Sequence, residues 1–146
     1  MVKKSEAGKK EEELQVVVYT PDGIKAETKA RHLVVPGAEG DTMILPEHCG
    51  LVIPLRVGVL QIHHPGSVEY YSVSGGTLMV DEDNVNVSAF AAEEGRSIDR
   101  YRAESAKERA EAVLASDAED HTIEMARIAL YRALIRLEVH DLSRRE

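Results

Sequence analysis

Four arginines near the C-terminus are spaced as an anion site would need them. Arg102 and Arg109 are seven residues apart, about two turns of helix, and Arg132 and Arg136 are four apart, so each pair shares a helix face. Side by side in two antiparallel helices, the pairs converge. Their guanidinium groups then offer the forked donors that suit phosphate oxygens, and a carboxylate such as Glu93 or Asp99 can accept from hydroxyl or amino groups. The same spacing also fits an ordinary salt-bridged surface. Glu104, Glu108 and Glu111 lie close on the first helix, and spacing alone favours that reading.

No other constellation reaches a catalytic set. His48-Cys49 could suggest a thiol and its base, but neighbours on a β segment point to opposite faces and no orienting acid accompanies them. His63-His64 precedes Pro65 and lacks a third ligand at motif spacing. Asp81 to Asn84 is acidic without the glycine and closing glutamate of a calcium loop, and reads as a turn. No catalytic residue and no metal ligand is expected.

The elements that must hold the arginines divide the chain in three. Residues 1–13 carry four lysines and four glutamates and are expected to form a charged, disordered tail. All five prolines and all ten glycines lie at or before Gly95, and the next 51 residues contain neither. Both residues punctuate turns and weaken helices, so the architecture should change there, with one domain over 14–95 and another over 96–146. The first reads as short strands between turns: LQVVVYT before Pro21-Asp22-Gly23, then HLVVPG, MILPEH, GLVIPL and VGVLQIHH. VEYYSV, a Gly75-Gly76 break, TLMV and VNVSAF follow. An antiparallel sandwich or barrel is predicted, with prolines 36, 46 and 54 at strand ends or edges.

After residue 95 the pattern is helical. Ser97 is expected to cap a helix running to about Ala115, with Asp99 in its first turn, and Asp120 to cap a second running to about Val139. So short a loop makes them antiparallel neighbours. The second helix has an apolar surplus. Ile123, Leu130, Leu134 and Leu137 form one stripe, and Ile128, Ile135, Val139 and Leu142 form another roughly 140° away. One alanine-rich partner cannot cover both, so the second stripe meets the sandwich or another protein.

The 146 residues carry a net charge of −8, which argues against a generic nucleic-acid binder. No apolar run is long enough to span a membrane, and the charged start is unlike a targeting peptide. The single cysteine, Cys49, excludes an internal disulfide. A soluble protein of a reducing compartment is expected.

Val35 to Gly40 with Leu45 to His48, Ser72 to Leu78, and the C-terminal pair from Ile98 to Ala110 and Arg132 to Leu137 together resemble the epsilon subunits of bacterial F-type ATP synthases. Val35-Pro36-Gly37-Ala38-Glu39-Gly40 running on to Leu45-Pro46-Glu47-His48 resembles the family's early loop, PGxEGxxGxLPxH. Ser72 to Leu78 resembles its SGG strand junction. Ile98-Asp99-x-x-Arg102-Ala103, Lys107-Glu108-Arg109-Ala110 and Arg132-Ala133-x-x-Arg136-Leu137 resemble its C-terminal pair. Thr42 and Met43 follow Asp41 where the family commonly has an apolar residue and then Gly, so the loop is expected to turn differently.

The resemblance implies a β-sandwich of about ten strands followed by a two-helix hairpin, in a non-catalytic rotor subunit. Its implied partners are the gamma subunit, the c-subunit ring and the alpha and beta subunits of the catalytic head. Attachment to the cytoplasmic face of the bacterial inner membrane would be through the complex alone. Glu39, Asp41 and His48 would face the c ring. Glu93, Asp99, Arg102, Arg109, Arg132 and Arg136 match the positions with which some members bind ATP as a regulatory ligand, and no catalytic cofactor is implied. Loss of nucleotide would let the hairpin extend and inhibit hydrolysis, with Arg127, Arg132 and Arg136 meeting the head. The alternative is a freestanding nucleotide-sensing adaptor.

Overall fold

A computed structural model of the chain describes residues 12–47 and 49–145. The expected tail lies outside the described residues except for Glu12 and Glu13. Eight strands follow: β1 (Leu14–Thr20), β2 (Gly23–Ala30), β3 (His32–Gly37), β4 (Gly40–Ile44), β5 (Leu51–His64), β6 (Ser67–Asp81), β7 (Asn84–Ala89) and β8 (Ala92–Glu94). Their order is β2-β1-β7-β6-β5-β3-β4, with β8 added on β6. Neighbours are antiparallel except β1 and β7, which run parallel.

Alternation decides which side of each strand is buried. Leu14, Val16 and Val18 of β1 and Val85 and Val87 of β7 point inward with Leu33, Val35, Ile44, Leu60, Ile62 and Leu78. All belong to one core.

Two breaks read from the sequence lie inside strands, and β2 and β8 are strands that the turn signals did not mark. GLVIPL and VGVLQIHH are both parts of β5, and Pro54 sits within it opposite Thr77. The Pro54 carbonyl accepts from the Ala38 amide at 2.8 Å, while the N–H that proline lacks falls where no β3 residue pairs. Gly75-Gly76 is likewise internal to β6. Gly76 has φ +129°, and a Cβ there would stand 2.0 Å from the Ser88 carbonyl oxygen. Glycine at this point lets β7 approach without ending the strand.

A 3-10 turn, Gly95–Ser97, leads to α1 (Arg100–Leu114) and α2 (Asp120–Ser143), which pack antiparallel. Ser97 does not cap the first helix. It lies in the 3-10 turn, and the cap is Asp99, whose Oδ1 accepts from the Arg102 amide at 3.2 Å. The buried, extended Ile98 separates the two. Asp120 is the first residue of α2, with Glu119 before it as the cap, and α2 runs one turn beyond Val139. Cys49 belongs to the exposed stretch between β4 and β5 rather than to a strand.

The second apolar stripe meets the sandwich. Ile135 and Val139 join Ile98 in a small cluster against Val57, Val59 and Tyr70, separate from the main core. Ile128 of that stripe is exposed, as are Leu134 of the other stripe and the nearby Met125 and Tyr131. Among the described residues no helix is long and apolar enough to cross a membrane.

Candidate functional site

The hairpin is held together by small residues. Ala103 and Ala110 of α1 and Ala126 and Ala133 of α2 are buried, each pair seven residues apart, so the two backbones come close along one seam. At about 100° per residue, Arg102 and Arg109 stand about 100° to one side of the α1 seam. Arg132 and Arg136 stand between the α2 seam and the Ile135–Val139 stripe. Since the helices are antiparallel, these offsets fall on the same side of the hairpin. All four arginines therefore share one face, the side from which α2 meets the sandwich.

The sandwich supplies the facing carboxylate. Glu93 of β8 accepts from Arg136 through Nε at 3.1 Å and Nη2 at 3.4 Å, a forked and half-buried pair. Arg102, Arg109 and Arg132 are exposed and, among the described residues, make no ion pair. Glu104 pairs with Arg100 instead. The salt-bridge reading thus accounts for one of the four arginines and leaves three available. Asp99 has its Oδ1 engaged as the helix cap, which fixes its position beside Arg102. Behind the Glu93–Arg136 pair opens a cavity of about 360 Å³, within the range of small-ligand pockets, lined by Lys25, Ser72, Ser74, Ala91, Ala92, Glu93 and Arg136.

Arg127 pairs with Glu124 at 2.8 Å on the exposed surface of α2. Glu39 is exposed in the β3–β4 turn, and His48 lies outside the described residues. Asp41 is held: Arg56 donates to its Oδ1 at 2.7 Å and to the Gly37 carbonyl at 2.7 Å. This hydrogen bond to Asp41 holds the Arg56 guanidinium above its ordinary pKa. The loop flanks a cavity of about 510 Å³ between residues 37–42 and 51–54. Thr42 and Met43 continue β4 in extended conformation, and the reversal is made by Gly40 at φ +140°.

Two arginines escaped the reading of motifs. Arg56 ties the early loop to β5, and its only signal was a lone cation inside an apolar strand. Arg144 donates to the Gly95 carbonyl and the His140 carbonyl, each at 3.2 Å, so the end of α2 closes on the segment that leads into the hairpin. Nothing in its spacing points to a partner 49 residues earlier.

Fold and site together define a two-module chain, a β-sandwich followed by a helical hairpin that carries an arginine face. Residues 13–95 match the beta-sandwich domain of the ATP synthase delta/epsilon chain, and residues 96–141 match its long alpha-helix domain. An ATP synthase epsilon chain of Bacillus velezensis is 40% identical over 126 residues, covering 86% of this chain and 96% of the relative. One of Bacillus cytotoxicus is 37% identical over 128 residues, covering 88% and 96%. The chain belongs to the ATP synthase delta/epsilon family. Its fold is also similar to a chain in the Euglena gracilis mitochondrial ATP synthase, OSCP/F1/c-ring in rotational state 1 (TM-score 0.75, 21% identity, 90% of this chain and 81% of that one). A second likeness is to a chain of the Tetrahymena thermophila mitochondrial ATP synthase central stalk and c-ring (TM-score 0.60, 14% identity, 87% and 96%).

Proposed function

We propose that this chain is a non-catalytic rotor subunit of an F-type ATP synthase whose C-terminal hairpin inhibits ATP hydrolysis when it extends and is held compact by bound ATP. It needs no catalytic cofactor. Residues 14–95 are the rotor module and residues 96–146 the regulatory one. The module binds the gamma subunit and presents Glu39, Asp41 and His48 to the c ring. The subunit is peripheral to the membrane, on the cytoplasmic face of the bacterial inner membrane. Arg127, Arg132 and Arg136 meet the alpha and beta subunits in the extended state. Family membership favours this over the freestanding adaptor.

The observation that carries the regulatory reading is the small docking patch beside the shared arginine face. Ile98, Ile135 and Val139 are the buried apolar side chains that hold the hairpin to the sandwich. At about 1.5–3 kcal/mol each their burial stabilises docking by roughly 5–9 kcal/mol at most. Reversing a two-state population from 1:99 to 99:1 takes about 5.5 kcal/mol. The two quantities are of one order, so docking is firm enough to persist and weak enough for a ligand to shift. ATP spanning Arg102, Arg109, Arg132 and Arg136, with Glu93 and Asp99 accepting from ribose or adenine, adds its differential affinity to the compact form.

The test is deletion of residues 97–146 in the reconstituted complex. Hydrolysis should rise while coupling to proton transport survives. Unchanged hydrolysis would reject the inhibitory role. Calorimetry of the isolated chain, repeated on Arg102→Ala and Arg132→Ala, tests the ligand, and absence of heat at millimolar ATP would remove it.

A further inference from the structure

The cavity behind the Glu93–Arg136 pair contains groups that the motif does not include. Ser72, on β6 opposite Glu93, is 7% exposed, yet among the described residues its hydroxyl has no hydrogen-bond partner. Among the described residues no buried side-chain polar atom is left wholly sealed and unsatisfied, so that hydroxyl opens into the cavity it lines. Ser74 lines the same space, also with an unpartnered hydroxyl among the described residues. Lys25 of β2 brings an ammonium that forms no ion pair among the described residues. Two free hydroxyl donors and a free cation, opposite a forked arginine, suit an oxyanion. Ser72 is buried as a residue while its hydroxyl reaches the cavity, so these groups face one space that a small anion can enter.

We propose that Lys25, Ser72 and Ser74 form the sandwich wall of the anion site and bind a phosphate group of the ligand. The assignment rests on the nucleotide reading of the hairpin arginines. Arg136 then has a choice of anion. Without ligand its fork is taken by Glu93; a phosphate in the cavity competes for the same donors, and Lys25 adds a second positive charge to that of Arg136, offsetting Glu93. The nucleotide is thereby clamped between sandwich and hairpin, with one phosphate seated on the rotor module. A ligand held on both sides stabilises docking directly. One held by the helices alone would stabilise only the hairpin.

The full chain and its Lys25→Gln and Ser72→Ala variants are titrated calorimetrically with ATP and, separately, with inorganic tripolyphosphate. Lys25 is exposed, so its replacement leaves the fold intact, and circular dichroism checks this. Loss of one charge-assisted contact should weaken both ligands roughly tenfold in Lys25→Gln. Ser72→Ala should weaken both by a smaller factor. Equal ATP affinity in wild type and Lys25→Gln overturns the sandwich wall and leaves the hairpin reading standing. Lys25-dependent tripolyphosphate binding without ATP binding supports the wall as a free-phosphate site and removes the nucleotide. Binding of neither ligand to wild type overturns both.

Discussion

At the scale of residues, this protein separates charges that are used from charges that are open. Arg56, Arg100, Arg127, Arg136 and Arg144 all have acidic or carbonyl partners, whereas Arg102, Arg109 and Arg132 have none among the described residues. Removing an open arginine takes away ligand affinity without leaving a buried group unpaired. Arg102→Ala and Arg132→Ala should therefore each weaken ATP binding roughly tenfold at unchanged thermal stability. A melting temperature lowered along with the affinity would show a structural role instead. Tyr71 offers a second residue-level test. It is 4% exposed, and burial, reinforced by Glu69 and Glu94, raises its phenol from 10.0 to about 12. The neutral form is favoured in the folded chain, so this contribution is fully present below about pH 10 and is lost as pH rises through 12. Alkaline unfolding should steepen in that window, and Tyr71→Phe should flatten it.

The elements are governed by their ends. Asp99 decides where α1 begins, and Asp99→Ala should cost about 1 kcal/mol, read as earlier melting of the hairpin signal in circular dichroism. At the other end α2 closes on Gly95. A Cβ at that position would stand 1.7 Å from the Ser143 hydroxyl, which donates to the Val139 carbonyl at 2.8 Å. Gly95→Ala should therefore lift the C-terminal turn of α2 and break the Arg144 contact to the Gly95 carbonyl. Faster proteolysis between residues 95 and 99, with the sandwich intact, is the expected result. The hairpin base also carries Arg100, Asp141 and His140 in contact. The hydrogen bond from His140, helped by the charge of Arg100, holds the Asp141 carboxyl below the ordinary carboxylate range. Its stabilisation is present above that range and is lost as pH falls through the depressed value.

The molecule as a whole has two cores of unequal size. The large one holds the sandwich together; the small one, Ile98, Ile135 and Val139 on Val57, Val59 and Tyr70, holds the hairpin to it. Because the two share no buried residue, the hairpin can leave without opening the sandwich. Val139→Asp places a charge at a site with no exposure and should undock the hairpin while the sandwich melts as before. In the assembled enzyme the same variant should hydrolyse ATP more slowly, since the extended form is then favoured at any nucleotide concentration. Parallel loss of the sandwich transition would show one cooperative unit and rule out independent release.

Much of this was legible in the sequence because it rests on local chemistry. The loss of glycine and proline after Gly95 marked the change from strands to helices, and the flanking turn signals marked the segments LQVVVYT and VNVSAF that form β1 and β7. The 7- and 4-residue arginine spacings marked the shared helix faces, and the family motifs named the same residues. Tertiary structure alone decided the rest. Gly75-Gly76 is indistinguishable from a turn until β7 is seen pressing on it, and Pro54 breaks no strand because its missing donor faces no pairing partner. Ser97 and Asp99 are both good caps by type, and only the burial of Ile98 selects the second. The meeting of Glu93 with Arg136, 43 residues apart, and of both with Lys25 and Ser72, depends on where the hairpin docks. Sequence spacing reports faces of single elements. Which faces meet is set by packing between elements distant in the chain, and that is where the site was completed.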